Sequence, residues 1–312
     1  MSKKVKIVVV GIGGVGGYFG GLLAKRYENN NEIEICFLAR GEHLRKIMEN
    51  GLKVIHGENE IIARPAMATD KTDEIGIADY ILVCTKSYDL DATIEQLKPC
   101  INKNTVLLPL LNGVESVERI KKLLPETTVW EGTVYIVSQL KEPGVIENSG
   151  NTQKLSFGLD NTSNARLSFL KKIFQDAGIE TVLSDKISTL VWEKFIFISA
   201  VGTATSYFNC SIGKILEENE ENLHQLISEV TALAHANKIP VDPEIASITM
   251  NKLKMLSYNT TSSMHRDFKN RKPKTEVETL TGYVVLAGQR LGIETPAFVN
   301  AYNYLIAKKG DH

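Results

Sequence analysis

Along the first half of the chain, short unbroken runs of Val, Ile and Leu alternate with segments of helical period. That is the pattern of parallel strands joined by crossover helices. Residues 5–10 (VKIVVV) have no polar face and predict a central strand covered on both sides. A helix over 14–27 and a second strand over 33–38 follow. A basic helix around 43–50 then leads into 52–67, which reads as a hairpin across Gly57-Glu58-Asn59. Strands over 80–85 and 105–111 flank a helix over 91–97, and Asn112-Gly113 turns the chain into a helix over 114–124. Residues 129–140 and 145–158, joined by Lys-Glu-Pro-Gly, predict an antiparallel pair. A helix over 165–177, stopped by Gly178, precedes a last short strand through Val182. Beyond about Ser184 the strand signals stop, and the rest reads as helix with polar or Pro/Gly punctuation. The expected division is an α/β domain over 1–184 and an all-helical one over 185–312.

The first strand runs straight into Gly11-Ile12-Gly13-Gly14-Val15-Gly16, a GxGxxG that opens a helix. In that setting the motif has a mechanism and marks a Rossmann-type dinucleotide-binding domain. Gly11 permits the tight turn, Gly13 lets backbone approach a pyrophosphate, and Gly16 allows helix to pack closely on strand. The helix N-terminus supplies N–H donors to the phosphates. The second strand ends in Leu38-Ala39-Arg40, with no carboxylate to accept from an adenosine 2′-hydroxyl. An arginine fork there suits the 2′-phosphate of NADP(H); an exposed surface arginine is the plainer reading. Ligands of open α/β sheets lie beyond the carboxyl ends of the strands, which directs attention to Lys86 and Asn112. Each also has a plain role, as a solvated lysine and a turn asparagine.

Composition narrows the ligand. The 312 residues are 43% hydrophobic and 23% charged, enough for one or two cored domains. A net charge of −1 gives no electrostatic reason to expect nucleic acid or an anionic membrane as partner. No apolar stretch approaches the roughly 20 residues of a membrane span, and Met-Ser-Lys-Lys leads into strand without a signal-peptide pattern. A cytoplasmic protein with a small-molecule ligand is expected. The four cysteines form no CxxC pair and the six histidines no HxH or HExxH spacing, so no metal site assembles locally. In the helical half, Trp192-Glu193-Lys194-Phe195-Ile196-Phe197-Ile198 is largely apolar with one charged pair. Burial of Lys194 would lower its pKa and suit it to donate a proton; snorkelling of the side chain is the structural alternative.

The ordered set GIGGVGGYFG, LAR ending at Arg40, CTKSYD around Lys86, LLNGVES around Asn112, WEKF around Lys194, and TSSMHRDF with TEVETLTG between Thr261 and Gly282 resembles the ketopantoate reductases (2-dehydropantoate 2-reductases). These are similar to 6-phosphogluconate dehydrogenases in joining an N-terminal Rossmann domain to an all-helical C-terminal domain. The resemblance covers nearly the whole chain and implies NADPH-dependent reduction of ketopantoate to pantoate, a step of pantothenate and coenzyme A biosynthesis. It makes Lys194 the proton donor to the C2 oxygen, with Asn112 its companion near carbonyl and nicotinamide. Ser263 would bind the substrate carboxylate, Glu276 would accept from the substrate hydroxyl, and Lys86 with Arg40 would serve the cofactor. Read from the residues alone, Ser262-Ser263 are equally a helix cap and Glu276 a first-turn acid. The chain departs from the pattern where well-known members carry asparagine, four and eight residues after the lysine: here stand Ile198 and Gly202. It also carries one extra residue between Ser263 and Glu276. A less polar pocket follows, and another 2-keto acid is the alternative substrate. A non-catalytic NADP(H)-binding sensor or scaffold is the rival of a different class. Helical C-terminal domains often pair, which leaves a homodimer open, although no heptad pattern here specifies one.

Overall fold

The computed structural model describes residues 4–310, which pack as two units. The first comprises the chain up to Leu111 with Glu115–Ile187; the second comprises Asn112–Val114 and the chain from Ser188 onward. The break therefore falls at 187/188 rather than 184/185. A three-residue island expected in the first domain belongs by its packing to the second.

In the first unit the elements run β1 (Val5–Val10), α1 (Gly14–Arg26), β2 (Ile33–Leu38), α2 (Gly41–Asn50), β3 (Leu52–His56), β4 (Asn59–Ala63), β5 (Met67–Thr69), α3 (Thr72–Ile75), β6 (Tyr80–Val83), α4 (Leu90–Leu97), β7 (Val106–Pro109), α5 (Ser116–Leu123), β8 (Thr128–Val129), β9 (Glu131–Glu142), β10 (Val145–Gly158), α6 (Ala165–Asp176) and β11 (Glu180–Ser184). Six of these strands form a parallel sheet in the order β5-β2-β1-β6-β7-β8. The lack of a polar face in β1 has its expected cause: Ile7 and Val9 enter one core while Val8 and Val10 enter another, on the opposite face. The segment 52–67 is not one hairpin. β3 and β4 pair antiparallel and stop at Ala63, whereas Met67–Thr69 joins the edge of the main sheet alongside β2.

β3 and β4 belong to a second, mixed sheet, in the order β11-β10-β3-β4, with β9 antiparallel to β10. This sheet packs on the face of α1 turned away from the parallel sheet. A Cβ added at Gly17 would lie 2.5 Å from Ile146 Cδ1, and one at Gly21 2.5 Å from Val54 Cγ2; one at Gly14 would strike the Ser138 carbonyl. On the other side, a Cβ at Gly20 would sit 3.2 Å from both Val9 and Phe37. The glycines of α1 that the dinucleotide motif does not require thus let one helix lie between two sheets.

The second unit contains α7 (Ile187–Tyr207, from its second residue), α8 (Ile212–Glu218), α9 (Glu220–Ala236), α10 (Ile245–Lys254), α11 (Ser263–Lys269), a π-helical turn (Glu278–Gly282), α12 (Tyr283–Leu291) and α13 (Pro296–Gly310). Its core gathers Phe195 and Ile196 of α7, Val230 and Leu233 of α9, and Leu280 and Phe298. The expectation that no apolar stretch reaches membrane-spanning length does not hold for α7. Its 21 residues are long and apolar enough by length and composition, and the helix is nevertheless 67% buried over its most apolar stretch, as the central helix of this unit. Two of its interior hydroxyls are satisfied locally, Ser199 donating to the Phe195 carbonyl at 2.7 Å and Thr205 to that of Val201 at 2.7 Å. Glu229 of α9 accepts the backbone N–H groups of Ala297 and Phe298 at 2.8 and 3.0 Å, completing the start of α13 from outside that helix.

Candidate active site

In the first unit the glycine loop has its form imposed by contact. Gly11 stands at φ +83°, and a Cβ there would lie 2.8 Å from the Thr85 nitrogen. One at Gly16 would lie 2.8 Å from Cys84 Cβ and against the Gly11 carbonyl. At Gly13 the same atom would meet nothing within 4 Å. Backbone is therefore exposed to open space at the position where a phosphate must approach. No side chain caps α1, whose N-cap is Gly13, and no acid sits in its first turn, so its N-terminal N–H groups are left for an anion. Ile12 is buried and Val15 packs against the core, so what they offer a ligand is backbone. The buried Thr85 hydroxyl, beside Gly11, has no hydrogen-bond partner among the described residues. These features fit a dinucleotide.

Arg40 is exposed at the N-cap of α2, immediately beyond the end of β2. Beside it opens a groove of about 460 Å³ lined by Gly41, Leu44, Arg45, Met48, Glu49 and Asp70. The acid nearest in sequence, Glu42, pairs with Arg45 at 3.3 Å. Strand β6 ends at Val83 rather than 85, and Lys86 is exposed at the head of a single 3₁₀ turn, Ser87–Asp89.

In the second unit three residues far apart in sequence meet. Lys194, in the middle of α7, is 8% exposed, and its Nζ donates to Asn112 Oδ1 at 3.0 Å. The Asn112 amide then presents Nδ2 to Glu276 Oε1 at 3.5 Å, and Glu276 is itself buried. Burial pushes the Lys194 amine down to about 8, against the opposing pull of the Glu276 carboxylate. Lys194 is therefore buried rather than snorkelling. Asn112 reaches the lysine because its three-residue island packs with the helices. Gly113 holds φ +97°, and a Cβ there would lie 2.6 Å from Thr279 Cγ2 on the π turn.

Ser263 is exposed in the first turn of α11. Its neighbour Ser262 makes the cap, accepting from His265 N–H at 2.9 Å and sharing a 2.8 Å hydrogen bond with Thr205. The two serines thus divide the alternatives, one capping and one open to solvent. Ile198 is half-buried one turn beyond Lys194. A Cβ at Gly202 would sit 3.2 Å from Leu280 Cδ1 and 3.7 Å from Met264 Cε, so this stretch of α7 faces apolar groups. Among the described residues no three His, Cys, Asp or Glu side chains gather as a metal site. Sequence reasoning missed the island 112–114 and Thr279. The only local signal was Gly113, a glycine in a position that reads as an ordinary turn.

The family model described as Ketopantoate reductase PanE/ApbA matches residues 7–161, and its companion, Ketopantoate reductase PanE/ApbA C terminal, matches 186–309. An uncharacterized oxidoreductase, YkpB, of Bacillus subtilis (strain 168) is 30% identical over 302 residues, covering 96% of this chain and 97% of its own. The crystal structure of 2-dehydropantoate 2-reductase from Porphyromonas gingivalis W83 superposes with a TM-score of 0.86 at 35% identity, covering 97% of this chain and 100% of that one. The ternary structure of D-mandelate dehydrogenase with NADH and anilino(oxo)acetate shares the fold, with a TM-score of 0.84 at 22% identity and coverage of 98% and 99%.

Proposed function

The chain belongs to the ketopantoate reductase family of nicotinamide-dependent oxidoreductases, and from that premise we propose that it uses NADPH to reduce a 2-keto acid to the 2-hydroxy acid, with ketopantoate to pantoate as the leading case. The observation that carries the reading is the buried Lys194 amine held on Asn112 beside Glu276. When bound, the dinucleotide supplies the hydride for the ketone carbon. Lys194 gives its proton to the C2 oxygen as that oxygen becomes negative, and a pKa of about 8 leaves most of the amine charged at neutral pH. Asn112 fixes the direction of the amine through Oδ1. Glu276 lies on the far side of Asn112 and accepts from the substrate hydroxyl, while Ser263 receives the carboxylate. In the first unit, Gly11 to Gly16 hold the pyrophosphate on backbone N–H groups, Arg40 pairs with the 2′-phosphate and Lys86 assists the cofactor. A cytoplasmic setting suits a chain whose four cysteines are free thiols.

Steady-state reduction of ketopantoate with NADPH and with NADH tests this directly. Turnover with a strong NADPH preference is expected. Binding of NADPH without turnover on any 2-keto acid would instead favour a sensor or scaffold.

A second reading changes only the substrate. Ile198, with Leu280 and Met264 around Gly202, offers no hydrogen bond to a hydroxylated side chain, which favours a 2-keto acid with an apolar substituent. The anilino(oxo)acetate named with D-mandelate dehydrogenase carries an aromatic ring on an oxoacetate frame, joined through an amide N–H. Comparing kcat/KM for ketopantoate and phenylglyoxylate separates the two readings.

A further inference from the structure

Consecutive residues of the π-helical turn meet different partners in the second unit. The Thr279 methyl lies against Gly113, where a Cβ would come within 2.6 Å of Thr279 Cγ2. Leu280 covers Gly202 of α7, with its Cδ1 3.2 Å from where a Cβ would stand. Thr281 then pairs its hydroxyl with that of Thr203, the next residue of α7, at 2.8 Å. Both threonines are fully buried, and among the described residues neither hydroxyl has another partner. The same turn carries part of the candidate site. The Leu280 N–H donates to the Glu276 carbonyl at 2.9 Å, and Glu276 Oε1 faces Asn112 Nδ2 at 3.5 Å. On its outer side Glu278 accepts from the Tyr302 hydroxyl at 2.7 Å, a bond that ties the turn to α13 and not to α7.

A buried hydroxyl pair of this kind adds little net stability. Each oxygen has given up water to meet the other, and two apolar groups of the same shape would serve as well. What the pair adds is direction. Apolar contacts such as Leu280 on Gly202 survive a small slide of the turn along α7, whereas a hydrogen bond does not; a buried polar residue fixes register between packed helices for the same reason. We propose that Thr203 and Thr281 are positioning residues for the Lys194 cluster: their hydroxyl bond fixes the register of the π turn on α7 and thereby sets Glu276 and Asn112 against the Lys194 amine. The role rests on the reading of that cluster as the proton-donating site of a reductase.

The test separates shape from hydrogen bonding at both positions. It reads kcat and KM with whichever of ketopantoate and phenylglyoxylate the parent reduces, the NADPH dissociation constant, and Tm. Thr203→Val and Thr281→Val keep the shape and strand one buried hydroxyl each, so Tm should fall by about 3 °C and kcat by about tenfold, with NADPH affinity unchanged. Thr281→Ser keeps the hydroxyl and should hold kcat within about twofold of the parent. The double variant, with valine at both positions, strands nothing. Its Tm should return to that of the parent while kcat stays about tenfold down, because the register is no longer marked. A double variant that recovers kcat together with Tm would overturn the role and leave the pair a matter of stability. Parental kcat in the single valine variants would overturn it too, as would a loss of NADPH affinity equal to the loss of kcat. If the parent reduces neither keto acid, the reductase reading fails by itself, and the register is read instead from the titration of the Lys194 amine by side-chain NMR. A titration unchanged in Thr281→Val then overturns the role, and a shift of about half a unit or more supports it.

Discussion

The glycine loop and the Lys194 cluster are built on opposite principles. The loop is made of backbone. Its residues lie consecutively in sequence, and its shape comes from side chains that are absent, so that Gly11 and Gly16 can touch neighbours while Gly13 faces open space. The cluster is made of side chains. Its members come from positions 112, 194 and 276, and its chemistry depends on burial that shifts an amine to about 8. A ligand held on backbone N–H groups tolerates exchange of most nearby side chains, whereas in the proposed reaction a single atom of the cluster carries the proton.

Lys194→Ala should therefore break the symmetry hardest, lowering kcat by about 10²–10⁴-fold while the NADPH dissociation constant stays near that of the parent; single-turnover and equilibrium binding measurements check the two halves. Gly113→Ala comes next. With φ at +97° and Thr279 Cγ2 at 2.6 Å from the new atom, the Asn112 island must shift, and kcat should fall by about 10- to 100-fold with cofactor affinity again spared. The pH profile sharpens the contrast. An acid whose pKa is about 8 is present below that value and lost above it. The reductive rate should hold up to about pH 8 and then fall about tenfold per unit, and this break should be missing from whatever residual rate Lys194→Arg retains. The smallest effect belongs to the first unit: Arg40→Ala should weaken NADPH by about tenfold, leaving NADH affinity and kcat unchanged.

What could be read from sequence follows the same division. β1, β2 and the glycine loop were legible because each is a local pattern: an unbroken apolar run buried on both faces, then glycines at fixed offsets. The second sheet was not. β10 pairs in parallel with both β3 and β11, from positions far apart along the chain, and no local periodicity encodes a partner so distant. For the same reason 52–67 read as one hairpin although Met67–Thr69 crosses to the other sheet. The lysine in a greasy helix was visible, but whether it was buried depended on Asn112 and Glu276, which spacing cannot bring together. Of Ser262 and Ser263, only the coordinates show which one caps α11. The length of the apolar run in α7 was missed: a core helix of a helical unit has the composition of a bilayer helix.

The glycines that let α1 lie between two sheets have a consequence for folding. Gly14, Gly16, Gly17, Gly20 and Gly21 occupy five of its 13 positions, and each costs a helix about 1 kcal/mol relative to alanine. Such a segment has little helicity of its own, so its amides should be shielded from solvent exchange only while both sheets are assembled around it. Fraying of the β9–β10 ribbon would then unwind the N-terminal end of α1 as well, and in hydrogen-exchange experiments the two should open as one cooperative unit.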